Sequence, residues 1–165
     1  MAIDCLSGTL ARADKRAVNS AIEALSRSGK AQGRMLGSIQ ILPDQWPTSA
    51  LIDWLSILSR VQDIPERDKR MADATQLLRS RLTVQGTRLV FSTERNDNWW
   101  WLMASADSNA NRLLLAVADN PGWKEDIGRL ARGALGRQRK GRWNTTVANA
   151  WGTLALDRFS QLHES

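Results

Sequence analysis

The sequence predicts an all-α chain of helical hairpins with one short β-hairpin insertion near residues 83–92. Three observations lead there. Apolar residues recur at helical spacing through most of the chain, punctuated by Gly, Pro and Asn. Strongly apolar segments alternate with charged amphipathic ones, as in hairpins laid side by side with an inner and an outer layer. Only between Thr83 and Ser92 does the pattern turn extended, with Gly86 as a break.

A first helix is expected over Thr9–Ser28, with Leu10, Ala17, Val18, Ala21, Ile22 and Leu25 on a buried stripe and Glu23 facing away. Thr9 is placed to cap it and Gly29 to end it. Lys30–Gln45 reads as a connector, and Pro43 stops any helix running through it. The next helix, Thr48–Val61, is apolar nearly all round apart from Asp53 and Ser56, as a buried helix should be. Asp63-Ile64-Pro65-Glu66 resembles a capping box opening an outer amphipathic helix, Pro65–Leu82. After the hairpin and a polar turn at Glu94–Asn98, a fourth helix starts near Trp100 or Asp107 and ends at Asp119. Asn120-Pro121 opens a fifth, closed by Gly136 and Gly141, with Ile127, Leu130, Ala131, Ala134 and Leu135 as its buried stripe. Asn144 caps a sixth helix, Thr145–Gln161. Leu115-Ala116 and Leu154-Ala155 overlay at a shift of 39 residues, and Trp54 and Trp151 sit at comparable points of their helices. A shift of that size fits a helix-hairpin repeat.

The 165 residues suit one domain, or one piece of a larger one, with 1–45 as an N-terminal helix and connector. Eight Trp beside two Phe and no Tyr call for thick packing, because each indole buries a large area and its N–H needs a partner. The net charge of +6 divides evenly between the halves, so there is no basic tail. The one basic run is Arg129, Arg132, Arg137, Arg139, Lys140 and Arg142, with no acid between. It reads as a solvated helix face and loop, or as a patch for phosphate or an acidic partner. Cys5 is the single cysteine, so an internal disulfide and a zinc box are excluded. Neither a signal peptide nor a membrane-length apolar run is present in this stretch.

No catalytic triad, metal box or phosphate loop appears. Asp53, Asp107, Asn109, Asn111 and Asn149 lie on otherwise apolar helices. Asp107 could act as an acid or base, but such residues more often cap helices or bond to nearby backbone. No second carboxylate stands at helical spacing to make an acid–base pair. His163, the only histidine, lies past the last apolar position, and Cys5 has no neighbouring cation to activate it. Trp99-Trp100-Trp101 point three ways on a helix, so they cannot share one stacking face; two are expected to be buried and one to line a groove. No catalytic, cofactor-binding or metal-binding residue is therefore assigned.

Several stretches in order resemble bacterial alpha-2-macroglobulin-like proteins: Gly86-Thr87-Arg88-Leu89, Phe91-Ser92-Thr93-Glu94, Trp99–Met103, Asn109–Leu114, Gly141–Thr146 and Ala148–Gly152. The likeness covers roughly Trp46–Phe159 and falls in the late part of the thioester-type domain, an alpha/alpha toroid. It implies a large periplasmic parent, membrane-anchored through the parent only, that traps proteinases and serves envelope defence. Partners would be proteinases and other domains of the parent, with no nucleic acid and no cofactor. The family's reactive Cys and Gln pair is absent from this stretch, because Leu6-Ser7-Gly8 comes after Cys5; either it lies upstream or this branch lacks it, and no functional residue carries over. Six helices make only a partial ring with two apolar flanks, so the chain is expected to be a fragment of a larger toroid or to dimerise. Two rivals remain. One is a basic nucleic-acid-binding module built on Arg129–Arg142. The other is a toroid enzyme of the prenyltransferase or terpene-cyclase kind, which would need an Asp-rich metal run or zinc ligands that the sequence lacks.

Overall fold

The computed structural model describes residues 18–36, 46–92 and 104–163. The described chain is mostly helical with one small antiparallel sheet. The elements are α1 (residues 18–27), a 3-10 turn at Gly33–Leu36, α2 (Thr48–Arg60), α3 (Arg67–Ser80), β1 (Leu82–Gln85), β2 (Arg88–Phe91), α4 (Ala106–Val117), a 3-10 turn at Pro121–Trp123, α5 (Ile127–Leu135) and α6 (Thr146–His163). No helix among the described residues is long and apolar enough to cross a membrane. They fall into two compact units: 18–36, 46 and 53–77 in one, 47–52 and 78–163 in the other, the division lying within α2 and α3.

In the first unit, α2 is buried as its composition requires: Trp54, Leu55, Ile57 and Leu58 are at most 4% exposed. Buried with them is Asp53, whose carboxylate accepts from Ser20 Oγ at 2.8 Å. With that bond the buried face of α1 is turned from the predicted one, Ile22 alone of the described stripe staying buried. Asn19, Ile22, Glu23 and Ser26 turn inward, while Val18 and Leu25 are 42% and 38% exposed. The physical reason is partner supply. Buried polar groups must be hydrogen-bonded. Glu23 takes Arg60 Nη1 at 2.9 Å and also Arg27, and Ser26 Oγ takes Arg60 at 3.2 Å. Gly29, with φ of 67°, closes α1 as expected, whereas the proposed Thr9 cap lies outside the described residues.

The capping box at Asp63–Glu66 does not form. Both Asp63 oxygens accept from Gly33 N at 3.0 Å, and Glu66 sits at φ 53°, so the helix starts only at Arg67. Long-range capture of the carboxylate has displaced the local cap.

In the second unit, β1 and β2 pair in the register Leu82↔Phe91 to Gln85↔Arg88 around a two-residue Gly86-Thr87 turn, Gly86 having φ of 61°. The hairpin lies on α5: a Cβ on Gly133 would collide with the Leu89 carbonyl oxygen, so only glycine permits this approach. α4 packs chiefly on α6 and also on α5. Its Leu113, Leu114 and Val117 are fully enclosed. Ser105, not Asp107, caps α4, in a capping box with Ser108.

The predicted fifth helix is interrupted. Asn120 does cap at Pro121, but the chain then makes a 3-10 turn that inserts Trp123 completely into the core, and α5 begins four residues later. Arg79 seals the spot. Its guanidinium lies 4.0 Å over the Trp123 ring and bonds to Asp126 at 2.5 Å and to the Gly122 carbonyl at 2.7 Å. At α6 the cap is Thr145, whose Oγ1 accepts from Ala148 N, and not Asn144. The apolar look of α6 also misleads: it buries Ala148, Gly152 and Ala155, while Leu154 is 54% exposed and Leu162 39%. The two members of the repeat overlay differ in setting, since Leu115 is half-buried and Leu154 exposed.

Candidate functional site

Four of the sequence candidates meet where α4, the end of α5 and the start of α6 converge. Asp107, in the first turn of α4, accepts from Arg137 Nε at 2.8 Å and from Asn144 N at 3.2 Å. It is mostly buried there, and both its oxygens are engaged inside the protein. Asn149, one turn into α6, closes a ring of bonds on the chain before it. Its Nδ2 donates to the Trp143 and Thr145 carbonyls at 2.8 and 2.7 Å, and its Oδ1 accepts from Trp143 N at 3.2 Å. Asn111, fully buried on α4, donates to the Ala148 carbonyl at 2.9 Å. Its Oδ1 has no hydrogen-bond partner among the described residues. Asn109 is buried on the same helix.

Trp143 stands at the centre. Its indole N–H donates to the Ala134 carbonyl at 2.9 Å, satisfying the one polar group that burial would otherwise strand. The ring lies on Gly152, where a Cβ would overlap the ring carbons. The chain reaches Trp143 through a tight turn: Arg139 and Arg142 bridge each other, with Lys140 and Gly141 at φ 54° and 76° between them. Arg137 as the partner of Asp107, Gly152 as the seat of Trp143 and Thr145 as a cap are roles that the sequence analysis did not assign. The spacing of Trp143 to Asn149 and Gly152 carries the only signal, and it becomes readable once the turn is known.

The other candidates lie elsewhere. Asp53 serves α1 in the first unit. His163, exposed at the end of α6, bonds through Nε2 to the Ala118 carbonyl at 3.0 Å and rests beside Phe159. Nearby, Arg158 lies on Asp119, whose hydrogen bond and charge raise the guanidinium above its ordinary pKa. Cys5 and Trp99–Trp101 lie outside the described residues. Of the basic run, Arg129 pairs with Asp126 at 3.8 Å, Arg132 donates to the Thr87 carbonyl at 2.8 Å, and Arg137 is held by Asp107.

No group of three or more His, Cys, Asp or Glu among the described residues could hold a metal ion. A recess between the hairpin, α4 and α5, lined by Leu82, Phe91, Leu113 and Leu130, offers only about 10 Å³, room for one water. The convergence at Asp107, Trp143 and Asn149 is thus a polar lock: carboxylate, amide and indole all bond to backbone or to Arg137 and fix the α5–α6 connection. Compared with protein families, curated proteins and solved structures, the chain matches none.

Proposed function

We propose that this chain is a non-catalytic segment of an alpha/alpha toroid in a bacterial alpha-2-macroglobulin-like protein, a periplasmic proteinase inhibitor that works through protein–protein contacts. The supporting observation is the use made of the residues that carry the resemblance. Gly141, Trp143, Asn149 and Gly152 form a turn, a plug, a backbone clasp and the seat for the plug. Each of these roles is architectural, which supports a scaffold reading. The enclosed α2 and α4 and the charged, exposed α3 are the two kinds of helix that the inner and outer layers of such a toroid need. The exposed Leu154 and Leu162 on α6 suit a face that further parent helices, or a second copy, would cover.

The test is to tag the chromosomal gene at its 3′ end and track the product. The expected result is a polypeptide of far greater length than this chain, released with the periplasmic fraction. A short product retained in the cytoplasm would overturn the reading. The parent, purified and mixed with trypsin, should leave the proteinase active on a small peptide and shielded from a large protein substrate.

A further inference from the structure

The basic run ends in a turn whose charges no described residue neutralises. Arg129, Arg132 and Arg137 have partners in Asp126, the Thr87 carbonyl and Asp107. No ion pair or side-chain hydrogen bond joins Arg139, Lys140 or Arg142 to a described residue, and all three are exposed. The turn fixes their backbone. Arg139 N donates to the Arg142 carbonyl at 2.8 Å and Arg142 N to the Arg139 carbonyl at 3.3 Å. Residues bridged in this way present their side chains on one face, and like charges directly opposite repel. A fourth cation arrives from β2: Arg88 Nη1 lies 2.6 Å from where a Cβ of Gly136 would stand, three residues before the turn. Beside it Leu135, the last residue of α5, is 42% exposed, and its carbonyl accepts from Gln138 N at 3.0 Å, joining it directly to the base of the turn.

We propose that this tip docks an acidic peptide segment of a partner protein, one with an apolar side chain beside its carboxylates. Two features favour that occupant. The backbone N–H groups of Arg139 and Arg142 are consumed by the bridge, which leaves recognition mainly to the side chains. Recognition rests on guanidinium forks, which match carboxylates two at a time. Leu135 gives a peptide a hydrophobic foothold that a phosphate or a nucleic-acid backbone cannot use. The neighbouring indole of Trp143 is buried, so it offers no aromatic platform to a base.

The experiment is fluorescence anisotropy of the full chain with a fluorescein-labelled peptide of alternating Glu and Leu, at low and moderate salt. The expected result is salt-sensitive binding that R139Q/R142Q weakens by about tenfold and Leu135→Ser by about threefold. K69Q/R70Q, which removes equal charge from α3, should change it by less than about twofold. Circular dichroism checks the fold of each variant, and the same peptide with Gln for Glu should not bind, which tests the idea even if the double variant misfolds. Equal losses in R139Q/R142Q and K69Q/R70Q, or no binding at all, would overturn the proposal. So would a single-stranded DNA oligonucleotide that binds more tightly than the peptide and ignores Leu135→Ser. Failure here leaves the toroid reading standing, because that reading is judged by product length and compartment.

Discussion

Trp143 and Gly152 depend on each other. The indole fills the space that a side chain at position 152 would occupy, and its N–H is satisfied at Ala134. Gly152→Ala should raise helix propensity yet lower stability by about 2 kcal/mol, since the added methyl must push a packed ring aside. Urea denaturation measures this, and an unchanged or higher midpoint would mean the ring does not rest there. Asp107 is the other sensitive residue. Asp107→Ala takes the acceptor at this site away from Arg137 and the Asn144 N–H and should cost about 2 kcal/mol. Asp107→Asn retains one acceptor and should lose less. Equal, negligible losses in both would dispose of the lock. That Asp107, Asn111 and Asn149 serve structure was legible from their setting on apolar helices. Which backbone groups they reach was not, because Arg137 and Ala148 are brought to them only by the packing of α5 and α6 on α4.

At the level of elements, the interiors of helices and the hairpin were readable, whereas their ends and faces were not. Hydrophobic spacing locates a helix because burial acts along its whole length. A cap is decided by one or two hydrogen bonds, and distant residues compete for them. Asp63 was lost to Gly33 in this way, and Ser105 took the capping role that its neighbour Asp107 could have filled. Ser105→Ala should therefore destabilise by about 1 kcal/mol, whereas Asn144→Ala should cost less, as its backbone N–H is the group used and survives the change. Thermal melts of the two variants settle the order. The turned face of α1, which keeps only Ile22 of the described stripe, has the same origin. Its apolar stripe was a sound reading of local pattern, but Asp53 and Arg60 on α2 demand polar partners, and Ser20, Glu23 and Ser26 supply them. Arg60→Ala should destabilise the first unit by about 1–2 kcal/mol, because the buried Glu23 carboxylate loses one of its guanidinium partners. Hydrogen exchange along α1 would report the loss locally.

Across the whole molecule, the two compact units each hold their own apolar core, and large hydrophobics remain at the surface of both. On α6, Leu154 and Leu162 are the pair whose exposure an apolar flank would produce. If that face self-associates, size-exclusion chromatography with light scattering should show a dimer that Leu154→Glu converts to monomer without loss of helicity; a monomer before and after removes the dimer. The order and rough extent of most helices, the position of the hairpin and the lack of a recognisable catalytic motif could all be read from the chain before any fold was known. Those properties rest on periodicity and residue chemistry, which act over short stretches. Three outcomes needed the folded molecule: which side of α1 turns inward, where α5 truly begins, and that Trp123 and Trp143 are plugs. Each depends on satisfying a buried polar group or filling a space between elements far apart in sequence, and no local pattern encodes the partner.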